Sequence, residues 1–356
     1  MQRPEVYGWD IGGAHVKACR LQGGVVVDAV EWACPLWQGE AHLARVLEAA
    51  RNRWPGWREA RHAVTMTGEM VDLFEHREAG VQRIAELLDQ GLDAAAPLQL
   101  YAAEAGWCAP EQVAPHWEAI ASANWLATAH HAAAALAPAA GVLVDIGSTT
   151  TDLIAFGDGR VLNTGRSDAE RLASGELAYQ GVVRTPLCAL GPRIAWRGRL
   201  LNVMNEFFAT TADVYRLSGE LDPAHDLHPA ADNGTKDAAG SRRRLARMIG
   251  LDAREATADE WQLFARAWRV RQTEELRGQF ERVVTERGLG AGATVVAAGC
   301  GDFLVPELLA PTALTRCVGY ASAVARLAPD GGALARWTQV CAPAVAVASL
   351  LDSEQA

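Results

Sequence analysis

The stretch VLVDIGSTTTDLIAF, Val142 to Phe156, runs an apolar strand into an aspartate, a glycine and a row of hydroxyl residues, then resumes as a second apolar strand. Near the N-terminus VYGWDIGGAHVKACRL, Val6 to Leu21, repeats the device. A turn signal follows each pair of strands, Gly23-Gly24 in the first copy and Asp158-Gly159 in the second. A third strand comes next, Val25 to Trp32 and Val161 to Thr164. Both segments read strand, Asp-x-Gly loop, strand, turn, strand. Asp10 falls in register with Asp145, Gly12 with Gly147 and Lys17 with Asp152, which an internal duplication explains better than coincidence.

Such a loop has a specific chemical use. Glycine at a strand end lets the backbone come close to a phosphate, and successive N–H groups make an anion-binding concavity. The aspartate repels phosphate but binds Mg²⁺, which bridges to phosphate oxygens. Ser148, Thr149 and Thr150 add hydroxyl donors, and Lys17 adds a point charge. A plain β-turn explains one such loop equally well. Two matched copies, with a third glycine loop at Gly299–Gly301, favour a ligand.

Composition narrows the class. The chain has 356 residues, so two domains are expected at roughly 100–200 residues each. Half of the residues are hydrophobic, and no run reaches the roughly 18 apolar residues of a membrane span. The opening MQRPEVYGWD lacks a signal-peptide core, so a cytoplasmic protein without a membrane partner is expected. A net charge of −10 argues against a broad nucleic-acid surface. The seven scattered cysteines form no C-x-x-C pair, which argues against disulfides and structural zinc.

Between the repeats, Glu40–Arg53, Gly80–Gln90 and an alanine-rich stretch ending before Pro138 carry helical spacing. Residues 222–240, rich in Pro, Gly, Asp and Asn, read as a long surface loop. Ala258–Arg287 reads as an amphipathic helix. The tail CAPAVAVASLL reads as an apolar helix that returns to the first half. The expected division is residues 1–137 with 338–352, and residues 138–337 with the loop as an insertion.

The set DIGGAHVK, VDIGSTTTDL and VVAAGCGDF resembles the phosphate and nucleoside motifs of the actin, Hsp70 and sugar-kinase superfamily. That resemblance implies an α/β fold of duplicated RNase H-like domains with a central cleft. TMTGEMVDLFEHREAGVQRI, ANWLATAHHAA, TTADVYRLSGELD and SRRRLARMIG resemble the hydantoinase/oxoprolinase-related proteins of the tetrahydromethanopterin-linked one-carbon pathway. The archaeal members make methanofuran: they join an aminomethylfuran methyl diphosphate to the phenol of γ-glutamyltyramine and release diphosphate. The resemblance therefore implies a transferase with a small-molecule diphosphate donor, a phenolic acceptor and Mg²⁺. By analogy, Asp10 and Asp145 bind the metal. Gly12, Gly13, Gly147, Ser148, Thr149, Thr150, Gly299 and Gly301 cradle the diphosphate, and Lys17 neutralises it. Kinase-like relatives usually carry adjacent glycines where this chain has Gly299-Cys300-Gly301, which favours a diphosphate that is not a nucleotide. An ATP-dependent kinase or ligase and a nucleotide-gated scaffold remain as alternatives, and a homo-oligomer is compatible with the sequence.

Other residues carry two readings. Glu69 is a general-base candidate or a helix N-terminal residue. Asp152 is a catalytic carboxylate, a partner for Lys17, or a structural ion pair. Arg184, Thr185 and Asp213 are substrate candidates, although an exposed helix start accounts for Asp213 and Tyr215 as well. Arg242, Arg243, Arg244 and Arg247 either grip a glutamyl carboxylate or form a solvated face.

Overall fold

Each Asp-x-Gly loop closes a hairpin at the centre of its own sheet. The computed structural model describes residues 5–95, 98–329 and 332–354. Contacts divide the chain into Met1–Ala140, Phe156–Leu162 and Val318–Ala356 as one unit, and Gly141–Ala155 and Asn163–Cys317 as the other.

The first unit holds β1 (Val6–Ile11), β2 (His15–Gln22), β3 (Val25–Ala33), β4 (Arg61–Met66), β5 (Gln99–Tyr101) and β6 (Trp107–Cys108) in the order β3-β2-β1-β4-β5-β6. β1 runs antiparallel to β2 and parallel to β4. Every residue of β1 is buried, as a strand covered on both faces requires. Gly8 lies against the C-terminal helix Ala342–Ser353, where a Cβ would sit 1.9 Å from the Ala344 carbonyl oxygen. The alanine-rich helix Asn124–Leu136 packs on the same C-terminal helix, as small side chains on both permit. The tail thus packs on the first sheet. Residues 318–337 join the first unit rather than the second, as their sequence position suggested. The reason is visible at the β3 edge, where Val26 N–H donates to Arg326 O and Ala328 N–H to Val26 O.

The second sheet holds β7 (Gly141–Ile146), β8 (Thr151–Gly157), β9 (Arg160–Val161) and β10 (Leu177–Ala178). A separate hairpin of β11 (Arg193–Trp196) and β12 (Arg199–Asn202) follows before β13 (Thr294–Ala298) and β14 (Arg316–Gly319) return to that sheet. Its order is β10-β8-β7-β13-β14, with β9 also on β8. The path β9-β8-β7-β13-β14 repeats β3-β2-β1-β4-β5, so the duplication is structural and the fold is the duplicated RNase H-like one of actin, Hsp70 and the sugar kinases. Matching hairpins use matching turns: Gly23-Gly24 and Asp158-Gly159 each place both residues at positive φ, the twist a two-residue hairpin needs. β9 is shorter than the expected Val161–Thr164. The buried Glu176 carboxylate accepts from the amides of Thr164 and Gly165 at 2.6 and 3.0 Å and pulls them off the ladder, and β10 completes the edge.

The second core is built on Ala258–Glu286, capped by Thr257 and Glu260, with Trp261, Phe264, Trp268, Leu276 and Phe280 on its buried stripe. The 222–240 segment is not a loose loop. Asp226 pairs with Arg216 and with Lys236 (3.2 Å), and Asp232 takes Arg244 at 3.0 Å. Among the described residues no single helix is long and apolar enough to cross a membrane.

Gly8→Val places a branched side chain inside helix backbone, and its expected cost is about 3 kcal/mol or more. Thermal unfolding checks this, and an unchanged midpoint would contradict the close approach.

Candidate functional site

Both loops are four-residue turns with the same closure. Gly12 N–H donates to His15 O at 2.9 Å, and Gly147 N–H donates to Thr150 O at 2.9 Å. A second turn closes onto each strand end: Thr67 N–H to Ile11 O at 2.9 Å, and Gly301 N–H to Ile146 O at 2.8 Å. The TMTGEM turn is thus the first unit's counterpart of the Gly299–Gly301 loop. Sequence reading missed that match because only one of the pair is Gly-x-Gly. Among the described residues the amides of Gly13, Thr149 and Thr150 donate to no protein acceptor. They are left to water or an anion.

In the first unit, register sets the electrostatics. Asp10 lies opposite Lys17, Lys17 opposite Glu31, and Asp10 beside Thr65 in the parallel ladder, so one sheet face reads Glu31, Lys17, Asp10, Thr65. Asp10 and Glu31 are both buried. Desolvation pushes the Glu31 carboxyl up to about 7; Lys17 opposes the shift and Asp10 adds to it. The buried Thr65 hydroxyl oxygen has no hydrogen-bond partner among the described residues. Sequence reading missed Glu31, because a register shift in the β2–β3 ladder sets its pairing with Lys17.

In the second unit, Asp145 is buried at the end of β7, next to Ala298 in the ladder. Gly299 and Gly301 serve close packing around it. A Cβ on Gly299 would lie 2.2 Å from Ile146 O and 2.5 Å from Asp145 Oδ1, and one on Gly301 would lie 2.5 Å from Ile146 Cγ2. The Gly147–Thr149 backbone is gripped by the segment Gly181–Arg184. Val182 N–H donates to Gly147 O (3.0 Å), and the amides of Val183 and Arg184 donate to Ser148 O (3.1 and 2.8 Å). Gly181 is required there, since a Cβ would lie 2.4 Å from Thr149 N. Arg184 reaches Thr149 Oγ1 at 3.4 Å, and burial lowers its pKa.

Several expected site residues stand elsewhere. Thr185 is buried: its hydroxyl donates to Gly181 O (3.1 Å) and accepts from Gly181 N–H (2.8 Å), so it shapes the segment instead of meeting a substrate. Asp213 is 2% exposed and accepts from Ser241 (2.8 Å), Arg216 (2.9 Å) and Arg244 (2.7 Å), while Tyr215 donates to Gln272 inside the core. Neither the substrate role nor an exposed helix start survives for Asp213. Arg244 is fully buried, so the arginine run is neither a single carboxylate grip nor a uniformly solvated face. Asp152 pairs with the buried Arg171, the structural reading. Glu69 is 1% exposed and accepts from Ser122 Oγ at 2.7 Å with Arg77 at 3.7 Å, so it braces its turn. No group of three His, Cys, Asp or Glu among the described residues is placed to hold a metal.

The family model described as hydantoinase/oxoprolinase matches residues 61–340. A Methanocaldococcus jannaschii protein named (4-{4-[2-(gamma-L-glutamylamino)ethyl]phenoxymethyl}furan-2-yl)methanamine synthase is 27% identical over 305 residues, covering 85% of this chain and 88% of the relative. A Methanococcus vannielii protein of the same name is 34% identical over 119 residues, 33% of this chain and 53% of the relative. Among solved structures, nucleotide-free acetone carboxylase superposes with a TM-score of 0.54 at 10% identity, over 98% of this chain and 70% of that one.

Glu31 makes stability pH-dependent. Its folded pKa lies above the ordinary 4.5, so the folded state holds the proton more tightly than the unfolded state. That contribution is present in full below pH 4.5 and is lost as pH rises to about 7. Glu31→Gln is expected to flatten denaturation midpoints across this window; a variant that keeps the wild-type slope would assign it to other groups.

Proposed function

This chain belongs to the hydantoinase/oxoprolinase family, and within it we propose a transferase that joins a furylmethyl carbon, delivered as its diphosphate ester, to a phenol oxygen. The carrying observation is the repeated turn: a buried aspartate at a strand end followed by amides that donate to no protein acceptor among the described residues. The archaeal relatives are named for making a compound with a phenoxymethyl group on a furan that also bears a methanamine. Such an ether forms when the phenol oxygen's electron pair bonds to the furylmethyl carbon as the carbon–oxygen bond to diphosphate breaks. Diphosphate leaves with the bonding electrons, and the phenol proton passes to a carboxylate or water. This reading places the chain in the biosynthesis of a methanofuran-type one-carbon carrier.

The furan ring tolerates positive charge on the reacting carbon, so the main task is to hold the departing anion. Each unit offers its own set for this: the Gly13 amide with Lys17 in the first, and the Thr149 and Thr150 amides with Arg184 in the second. Magnesium fits the donors. It commonly takes one or two carboxylates with waters and phosphate oxygens, and Asp10 in the first unit or Asp145 in the second would offer one. The buried, unpartnered Thr65 hydroxyl beside Asp10 suits a hydrated ion. When bound, the ion would neutralise charge on the leaving diphosphate.

The test is incubation with an aminomethylfuran methyl diphosphate, γ-glutamyltyramine and Mg²⁺. Mass spectrometry reads the ether, and a phosphate assay reads released diphosphate. Ether and diphosphate in equal amounts are expected, and Asp145→Asn should lower the rate by about 100-fold or more. No ether at stoichiometric enzyme overturns the reading, and ATP-dependent phosphorylation of either partner would replace it with the kinase alternative.

A further inference from the structure

The first unit's anion turn is bordered by two short turns, each bonded or packed to it. Leu36 N–H donates to Gly13 O at 3.0 Å, which fixes the turn Leu36–Gln38. A Cβ on Gly13 would lie 2.7 Å from Val71 Cγ1, and one on Gly68 would lie 3.1 Å from both Ile11 O and Leu36 Cδ2, so the turn Gly68–Met70 packs on the same place. Both have the same construction: a buried anchor, Leu36 in one and Gly68 with Glu69 in the other, sits beside an exposed apolar side chain. Trp37 is 38% exposed, Met70 51% and Leu73 40%. Polar residues would serve equally well at such positions if solvent were the only neighbour. Exposed apolar side chains on the segments that border a polar turn suit a ligand with an apolar part next to an anionic one.

We propose that Trp37, Met70 and Leu73 form a subsite for the aromatic ring of a diphosphate ester whose anionic end lies on the Gly12–His15 turn. This rests on the transferase reading and extends it: the first unit would select the organic half of the donor. The ring is the chemical class recognised. Trp37 offers a planar face, and Met70 offers a thioether that adapts to a ring edge. A nucleotide's polar ribose would gain little from such neighbours, whereas a furan or benzene ring one carbon from the diphosphate would gain an apolar contact.

Two probes of equal charge separate ring recognition from anion binding: benzyl diphosphate and methyl diphosphate, titrated calorimetrically into the full chain with Mg²⁺. The wild-type protein is expected to prefer the benzyl ester by about tenfold, the size of one buried apolar face. Trp37→Ala and Met70→Ala should each lose most of that preference while binding methyl diphosphate as before, which also reports an intact fold. Trp37→Phe should keep it. A wild-type ratio near one, failure of both esters to bind, an unchanged ratio in both alanine variants, or equal loss of both probes overturns the subsite. The ether assay is independent. Ring preference without ether defeats only the transferase, and ether without ring preference defeats only the subsite.

Discussion

The hydrogen bond that closes each Asp-x-Gly turn, Gly12 to His15 and Gly147 to Thr150, is the constraint on which both sites depend. It reverses the chain within four residues, so the strand's terminal aspartate and the open amides occupy one small region. The following parallel strand then adds its own turn through Thr67 or Gly301, which braces the strand end from the other side. Each unit therefore builds its site from backbone geometry first, and side-chain chemistry is added on top. That order explains why two segments with little residue identity outside the Asp and Gly positions superimpose in topology.

The charges placed across from the two aspartates have diverged. In the first unit the residue opposite Asp10 is Lys17, which has Glu31 on its other side. In the second, the matching position is Asp152, and its countercharge comes from Arg171 on the helix Asp168–Ser174. A lysine on a sheet face between two buried carboxylates is held near them. The aspartate bound to a 2% exposed arginine is committed to structure. The duplication thus keeps one copy's cross-strand position for electrostatics and uses the other copy's to fix a helix. The same division recurs farther along the chain, where Asp213 and Arg244 bury charge to pin the 222–240 segment. Removing one partner of such a pair strands the other, which is why these groups are structural even though they look reactive in a sequence.

Much of the fold was legible because the period-2 strands and glycine turns are local signals. The site was legible only in part, and Glu31 shows why. A two-residue turn at Gly23-Gly24 sets Gln22 against Val25, and an unbroken ladder from there would put Val30 opposite Lys17. The register shifts between Arg20 and Leu21, and the extra residue moves Glu31 into that place. A bulge of one residue changes which side chain meets the lysine and leaves no mark in composition. Asp213 and Thr185 failed for a different reason. Asp213 meets Arg244 only through tertiary packing, and a polar residue at a helix start reads the same whether it is buried or exposed, while Thr185 turns back on Gly181 four residues earlier in a segment with no periodic signal. Gly181 itself looked like an ordinary loop glycine, whereas its role comes from the Ser148–Thr149 backbone pressed against it.

The chain's net charge bears on how an anion would be held. At −10 the protein repels anions at long range, but at physiological salt charges more than about 8 Å apart are largely screened. Binding then depends on what lies within a few ångströms of the ligand. In each unit the buried aspartate works against an anion at that range unless a cation lies between, so the open amides of its turn would have to oppose a carboxylate. A bound magnesium ion would reverse the sign of that local balance, turning such an aspartate from a repulsive neighbour into a ligand. A site of this kind should discriminate sharply between a free anion and its magnesium complex. It would then rely on neutral contacts, such as the apolar side chains beside the first turn, to distinguish one diphosphate ester from another.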